Sequence, residues 1–313
     1  MEFLSGLMNS MPGALAQGLI WGIMAIGVYI TFKVLNIADL TVDGSLCTGG
    51  AVGVIMVING YPTWLALLAA FGAGLLAGLV TGILLTRFGI PAILAGILTQ
   101  LALYSINLHI MGIGTDVGSK SNLPISVDKY DLLVSARYVR DLAVNNPLIV
   151  LAIFSVVIVA VLYWFFGTEV GASLRATGAN GSMARAQGIN TDRSTILGLM
   201  LSNGLVALSG ALLAQYQGFS DINMGRGAIV IGLAAVIIGM VIMDKISSNF
   251  CVRLIACVVG AIIYYIVIQV VLKLGLSTDD LKLLSAVVVA LFLAIPYWKG
   301  KYFTKAKGGK KDA

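Results

Sequence analysis

Nothing limits the folds open to this chain more than its repeated runs of about twenty apolar residues, the length that spans a bilayer core as a helix. Such runs are expected at Gly13–Phe32, Gly44–Ile58, Thr63–Leu85, Ile90–Met111, Pro147–Phe166, Thr195–Gln217, Gly227–Met243, Phe250–Leu272 and Leu281–Tyr297. Hydrophobic residues make up 59% of the chain and charged residues 11%, with a mean hydropathy of +0.98. A water-soluble fold of this size has too little interior to hide that much apolar surface. The expected fold is therefore all-α and polytopic, with about nine membrane helices in one domain over residues 1–298 and a basic tail over 299–313.

Charge orients the spans. If the polar segment 167–194 faces the cytoplasm, alternation puts the N-terminus outside and the C-terminus inside. The inner side then carries thirteen basic against six acidic residues, and the outer side seven against eight. That asymmetry is the positive-inside pattern. The net charge of +6 thus reflects topology and calls for no nucleic-acid partner. The tail lysines suit anionic lipid headgroups. The opening MEFLSGLMNSMPG lacks a basic region, so the first span is expected to be retained.

The residues offer no catalytic set. Cys47, Cys251 and Cys257 have no metal-ligand spacing, and His109 is a lone histidine. HExxH, GxSxG and Walker A patterns are missing; GTDVGSKS at Gly114–Ser121 lacks the adjacent Gly-Lys that cradles phosphates. No catalytic residue, metal site or cofactor of its own is expected, and any ATP-driven work needs a second polypeptide for hydrolysis.

Polar residues at membrane depth cost at least a few kcal/mol each and mark function or special packing. The segment KVLNIADLTVDGSLCTGG, Lys33 to Gly50, places Asn36, Asp39, Thr41, Asp43 and Ser45 there, with Gly44 beside them. One reading is a broken or re-entrant helix lining a translocation path; the other is a solvated loop. A second polar piece, GFSDINMGRG, puts Asp221, Asn223 and Arg226 at the outer mouth and reads as an ordinary loop. The external segment 112–146 is long enough to receive an outside partner or to act as a spacer. In the third run Gly74, Gly78 and Gly82 share a helix face, a pattern for close helix packing.

Between the fifth and sixth runs lies EVGASLRATGANGSMARAQGIN, Glu169 to Asn190. Asn180 suits an N-cap and Gly188 a C-terminal turn, so GSMARAQ is expected to form about two helical turns. Met183, Ala184 and Gln187 are expected on one side and Arg185 on another. A helix this short is marginal alone and needs docking to persist.

The segment SLRATGANGSMARAQGINTDR, with NIADLTVDGS before it and QYQGFSDINMGRGAIVIGLAAVIIG after it, resembles permease subunits of bacterial ABC importers in the branched-chain amino acid and ribose permease superfamily. The likeness extends from about Ala14 to Pro296, and most resembles permeases for tryptophan, tyrosine or unassigned amino acids. The chain reads VIIGMVIMDKISSNF where branched-chain permeases carry a glycine pair, which favours the aromatic or uncharacterised branch. The resemblance implies a non-enzymatic importer subunit in the bacterial cytoplasmic membrane, working as a homodimer. Its implied partners are cytoplasmic ATPase subunits that bind ATP and Mg, and an external substrate-binding lipoprotein. It implies coupling through Arg175, Gly178, Asn180, Ala184, Gly188, Ile189 and Asn190, with Arg185 among them. It also implies a path past Asn36, Asp39, Thr41, Asp43 and Gly44, next to Ser45. The competing class is an ion-coupled carrier or channel, in which Asp39 and Asp43 would hold protons or cations.

Overall fold

The computed structural model describes residues 2–114, 118–126, 129–130, 132–139, 146–243, 249–274, 283, 286–287, 289–291 and 294. The expected ninth span lies mostly outside these residues, and the expected tail 299–313 lies wholly outside them. Ten α-helices are defined among the described residues: α1 Glu2–Tyr29, α2 Val42–Ile58, α3 Thr63–Thr86, α4 Ala92–Gly112, α5 Pro147–Gly167, α6 Glu169–Ala179, α7 Gly181–Ala186, α8 Thr191–Gln217, α9 Ala228–Met243 and α10 Phe250–Lys273. Helix α1 continues as a π-helical turn over Ile30–Val34. The protein is an all-α, multi-pass membrane protein. Among the described residues six helices are long and apolar enough to cross a bilayer, while α2 and α9 are shorter apolar helices.

Local sequence explains where the helices start and stop. Asn146 accepts a hydrogen bond from the Leu148 amide and Pro147 opens α5, where a missing N–H costs nothing. Asn190 caps α8 by accepting from the Arg193 amide, and Gly218, at φ 81°, ends it. Pro62 and Pro91 stand immediately before α3 and α4.

Helix α8 is the axis of the bundle. Its Ser202 hydroxyl donates to the Gly27 carbonyl (2.7 Å) and its Ser209 hydroxyl to the Ile20 carbonyl (2.8 Å), fixing α1 antiparallel to it. Lipid gives no hydrophobic drive for association, so close packing and such hydrogen bonds hold the helices together. The expected glycine face of α3 packs here. A Cβ on Gly74 would strike the Asn203 carbonyl, and one on Gly78 the Leu199 carbonyl. Beside α3, Gly49 of α2 faces the Ala207 carbonyl of α8 in the same way. Helix α10 packs on α1 through Gly18 and Gly22, and on α9 through Gly239 and Gly260.

At one end of the bundle a two-stranded antiparallel sheet pairs β1 (Asn122–Pro124) with β2 (Phe219–Asp221). At the opposite end lie α6 and α7. The second run was expected as one more span, but α2 has 17 residues and α9 has 16. At 1.5 Å per residue these are about 25 Å long, short of a core of roughly 30 Å. Each is preceded by non-helical backbone that packs into the bundle, 35–41 against α4 and 222–227 against α2.

Candidate functional site

The first irregular stretch, 35–41, turns back into the bundle. Asn36 reverses the chain at φ 56°, the one positive-φ residue other than glycine among those described. Asparagine tolerates that conformation better than most side chains. The Leu35 and Ile37 amides bond to the Ile30 and Thr31 carbonyls, closing the π-helical end. Leu40 then lies against α4, where a Cβ on Gly96 would sit 2.8 Å from the Leu40 amide nitrogen. The helix α2 that follows runs parallel to α8.

This turn delivers Asp39 to Asn203, midway along the 27-residue α8. The Asn203 amide donates to one carboxylate oxygen of Asp39 (2.7 Å), and the Thr41 amide donates to the other (2.9 Å). Ser45 donates to the Asn203 side-chain oxygen (2.7 Å), and Asn203 also donates to the Leu199 carbonyl (3.0 Å). Asp39 is 2% exposed, and Thr41, Ser45 and Asn203 are fully buried. A hydroxyl chain extends the cluster, Thr41 to Thr81 at 2.8 Å and Thr81 to Thr99 at 3.0 Å. The contacts of Asp39 are all neutral, and each polar group in the cluster completes another, as burial demands.

Of the path residues expected from sequence, Asp39, Thr41 and Ser45 meet in this cluster. Gly44 packs on Gln100 and Leu103 of α4. Asn36 is exposed at the turn. Asp43 does something else. Its carboxylate accepts from the Gly227 amide (2.9 Å) and the Ile229 amide (3.0 Å), so it caps α9 at the positive end of the helix dipole.

The second irregular stretch, expected as an ordinary outer loop, descends along α2. Its Ile222 carbonyl accepts from the Cys47 thiol (3.2 Å), and its Gly225 amide donates to that sulfur (3.2 Å). The loop therefore runs from the sheet inward to Asp43, and α9 starts below the bundle surface. Of the expected mouth residues, Asp221 accepts from the Asn122 side chain and from the Asn223 amide, closing the turn. Asn223 and Arg226 are exposed.

The Glu169–Asn190 segment forms two helices rather than the single short one expected. Thr168 caps α6 and Asn180 caps α7, its side chain accepting from the Met183 amide (3.0 Å). Gly188, at φ 82°, supplies the expected turn, and Asn190 caps α8. A Cβ on Gly178 would collide with the Val34 carbonyl, so α6 is seated on the end of α1. Ala184 is 3% exposed and faces the bundle, whereas Met183, expected on the same side, is 62% exposed. Arg185 donates to the Thr191 hydroxyl (2.7 Å) and lies 4.0 Å from Asp192, tying α7 to the start of α8. Ile189 is half-buried, while Arg175, Met183 and Gln187 are exposed.

Sequence reasoning missed Asn203, Thr81 and Thr99. Their signal was present as polar residues inside apolar runs, where desolvation demands a partner. Among the described residues no His, Cys, Asp and Glu group has the makings of a metal site.

Three comparisons with known proteins bear on this geometry. A family profile described as branched-chain amino acid transport system / permease component matches residues 10–296. The chain is 40% identical to a tyrosine transport system permease protein of Clostridioides difficile (strain R20291), over 92% of this chain and 91% of that one. It is 25% identical to the ribose import permease protein RbsC of Escherichia coli (strain K12), over 92% and 85%. Among solved structures it is similar in fold to a chain of PsaBC from Streptococcus pneumoniae in complex with Fab, at a TM-score of 0.54 and 16% identity, over 97% of this chain and 98% of that one.

Proposed function

The chain belongs to the branched-chain amino acid transport system permease family, and from that premise we propose that it is the membrane subunit of an ATP-driven importer that carries an aromatic amino acid inward. The carrying observation is the platform of α6 and α7, exposed at one end of the bundle and seated on α1 at Gly178 and on α8 at Arg185. A cytoplasmic ATPase pressing on Met183 and Gln187 would move the ends of α1 and α8 together. Helix α8 carries Asn203, so that movement reaches the Asp39 cluster at membrane depth and can open or close a path beside it. The residues Gly178, Asn180, Ala184, Gly188 and Asn190 shape the platform; the exposed ones meet the partner. The platform then faces the cytoplasm and the β1–β2 sheet faces outside, where an external binding protein would deliver substrate. A second copy of the chain completes the importer as a homodimer. Identity with a tyrosine transport permease supports the substrate class.

The test is uptake into vesicles holding this chain with its ATPase and binding protein. Labelled tyrosine is expected to accumulate only with hydrolysable ATP, to be displaced by tryptophan, and to ignore a protonophore. Accumulation of ribose or leucine in place of tyrosine would overturn the substrate class. Buried Asp39 favours a second reading, ion coupling; loss of uptake on collapsing the proton gradient with ATP held constant would select it.

A further inference from the structure

Beside the platform, a cavity of about 830 Å³ opens between the ends of α1, α5, α6 and α10. Three cations line it from three different elements: Lys33 at the end of α1, Arg175 on α6 and Arg253 in the first turns of α10. Among the described residues none of them meets a carboxylate; the ion pair at this end of the bundle is Arg185 with Asp192. The Arg175 guanidinium lies 5.9 Å over the Phe250 ring. The Arg253 Nε is buried and has no hydrogen-bond partner. An anion in the cavity would supply the acceptor that burial of this donor calls for.

The cavity wall also includes Tyr163 and Trp164, which are 53% and 71% exposed in the last turns of α5. Amphipathic aromatics at that position sit at the headgroup level of a bilayer. We propose that this cavity binds the phosphate-bearing headgroup of an anionic phospholipid, in the inner leaflet on the orientation proposed above, with its acyl chains lying along α5. Basic pockets between membrane helices take such headgroups, and guanidinium forks match phosphate oxygens. A headgroup held by all three cations joins α6 to α1 and α10, stiffening the seat on which the platform moves.

The experiment uses the full-length chain in lipid nanodiscs and reads quenching of Trp164 by brominated lipids, defined as the part lost in Trp164→Phe. Brominated phosphatidylglycerol is expected to quench at a far lower lipid fraction than brominated phosphatidylcholine. Each cation near a membrane surface contributes about fivefold in anionic-lipid affinity. Lys33→Gln combined with Arg253→Gln should therefore raise the half-quenching fraction about twenty-five-fold, and Arg253→Lys should restore most of the preference. If the double variant fails to insert, Arg175→Gln, on the exposed face of α6, carries the same expectation at about fivefold. Equal quenching by both lipids, unchanged in these variants, would overturn the proposal. Displacement by millimolar inorganic phosphate would overturn the lipid assignment in favour of a soluble anion. Loss of ATPase co-purification in these variants without lipid preference would overturn it in favour of a protein contact.

Discussion

The Asp39 cluster and the α6–α7 platform are both polar interruptions of an apolar chain, yet they are built on opposite terms. In the cluster, Asp39, Thr41, Ser45 and Asn203 spend their hydrogen bonds on one another and are buried. On the platform, Met183 and Gln187 are turned outward, the asparagines bond only to local backbone, and Arg185 bonds no farther than the start of α8. The difference teaches what each environment requires. At membrane depth an unmatched polar group has no water to turn to, so such a cluster must close on itself. At the bundle end water can satisfy the exposed groups.

Breaking the cluster should have the largest effect. Asn203→Leu leaves an Asp39 oxygen and the Ser45 hydroxyl without their partner, which should cost about 3 kcal/mol. Thermal unfolding in detergent checks this, and an unchanged midpoint would mean the cluster is not closed as described. Asp39→Asn should cost less, about 1–2 kcal/mol by the same assay, because it keeps the shape but turns an NH2 against one of the two N–H donors that the carboxylate accepts from.

Breaking the platform should leave stability alone and remove function. Met183→Asp changes an exposed side chain, so its unfolding midpoint should move by less than about 0.5 kcal/mol in equivalent stability. ATP-dependent uptake should nonetheless be lost. A variant that transports normally would remove Met183 from the contact. Asn180→Ala lies between these cases. Loss of the cap should cost about 1 kcal/mol locally, read as faster amide exchange in α7 with exchange in α8 unchanged. The smallest effect is expected for Asp43→Asn. It keeps an acceptor at the α9 N-terminus but removes the charge, worth about 0.3–1 kcal/mol, again read by thermal unfolding.

The membrane fold was legible from run length, since six of the expected spans correspond to helices long enough to cross. The N-cap and terminal turn of α7 were legible too, because an Asn N-cap and a positive-φ Gly are local chemistry. The depth of the second run was not fully legible. Whether 33–50 is a loop or a broken crossing depends on Gly96 and Asn203, which lie far away in sequence. The descent of 218–227 was hidden for the same reason, since its anchors are Cys47 and Asp43 on α2. Long-range pairs of this kind leave no periodic trace. The platform residues show a subtler limit. A recognisable motif marks Gly178 and Ala184, but their backbone neighbours turn them inward, and the exposed Met183 between them is a better candidate for contact.

The account stands on the platform being the surface that a cytoplasmic ATPase grips. Met183→Cys in the assembled importer, treated with a short bifunctional thiol reagent, tests this directly. The account predicts a cross-link to the ATPase subunit that changes in yield when ATP is trapped unhydrolysed. Labelling of that cysteine by a membrane-impermeant reagent added to the outside of intact cells would contradict it.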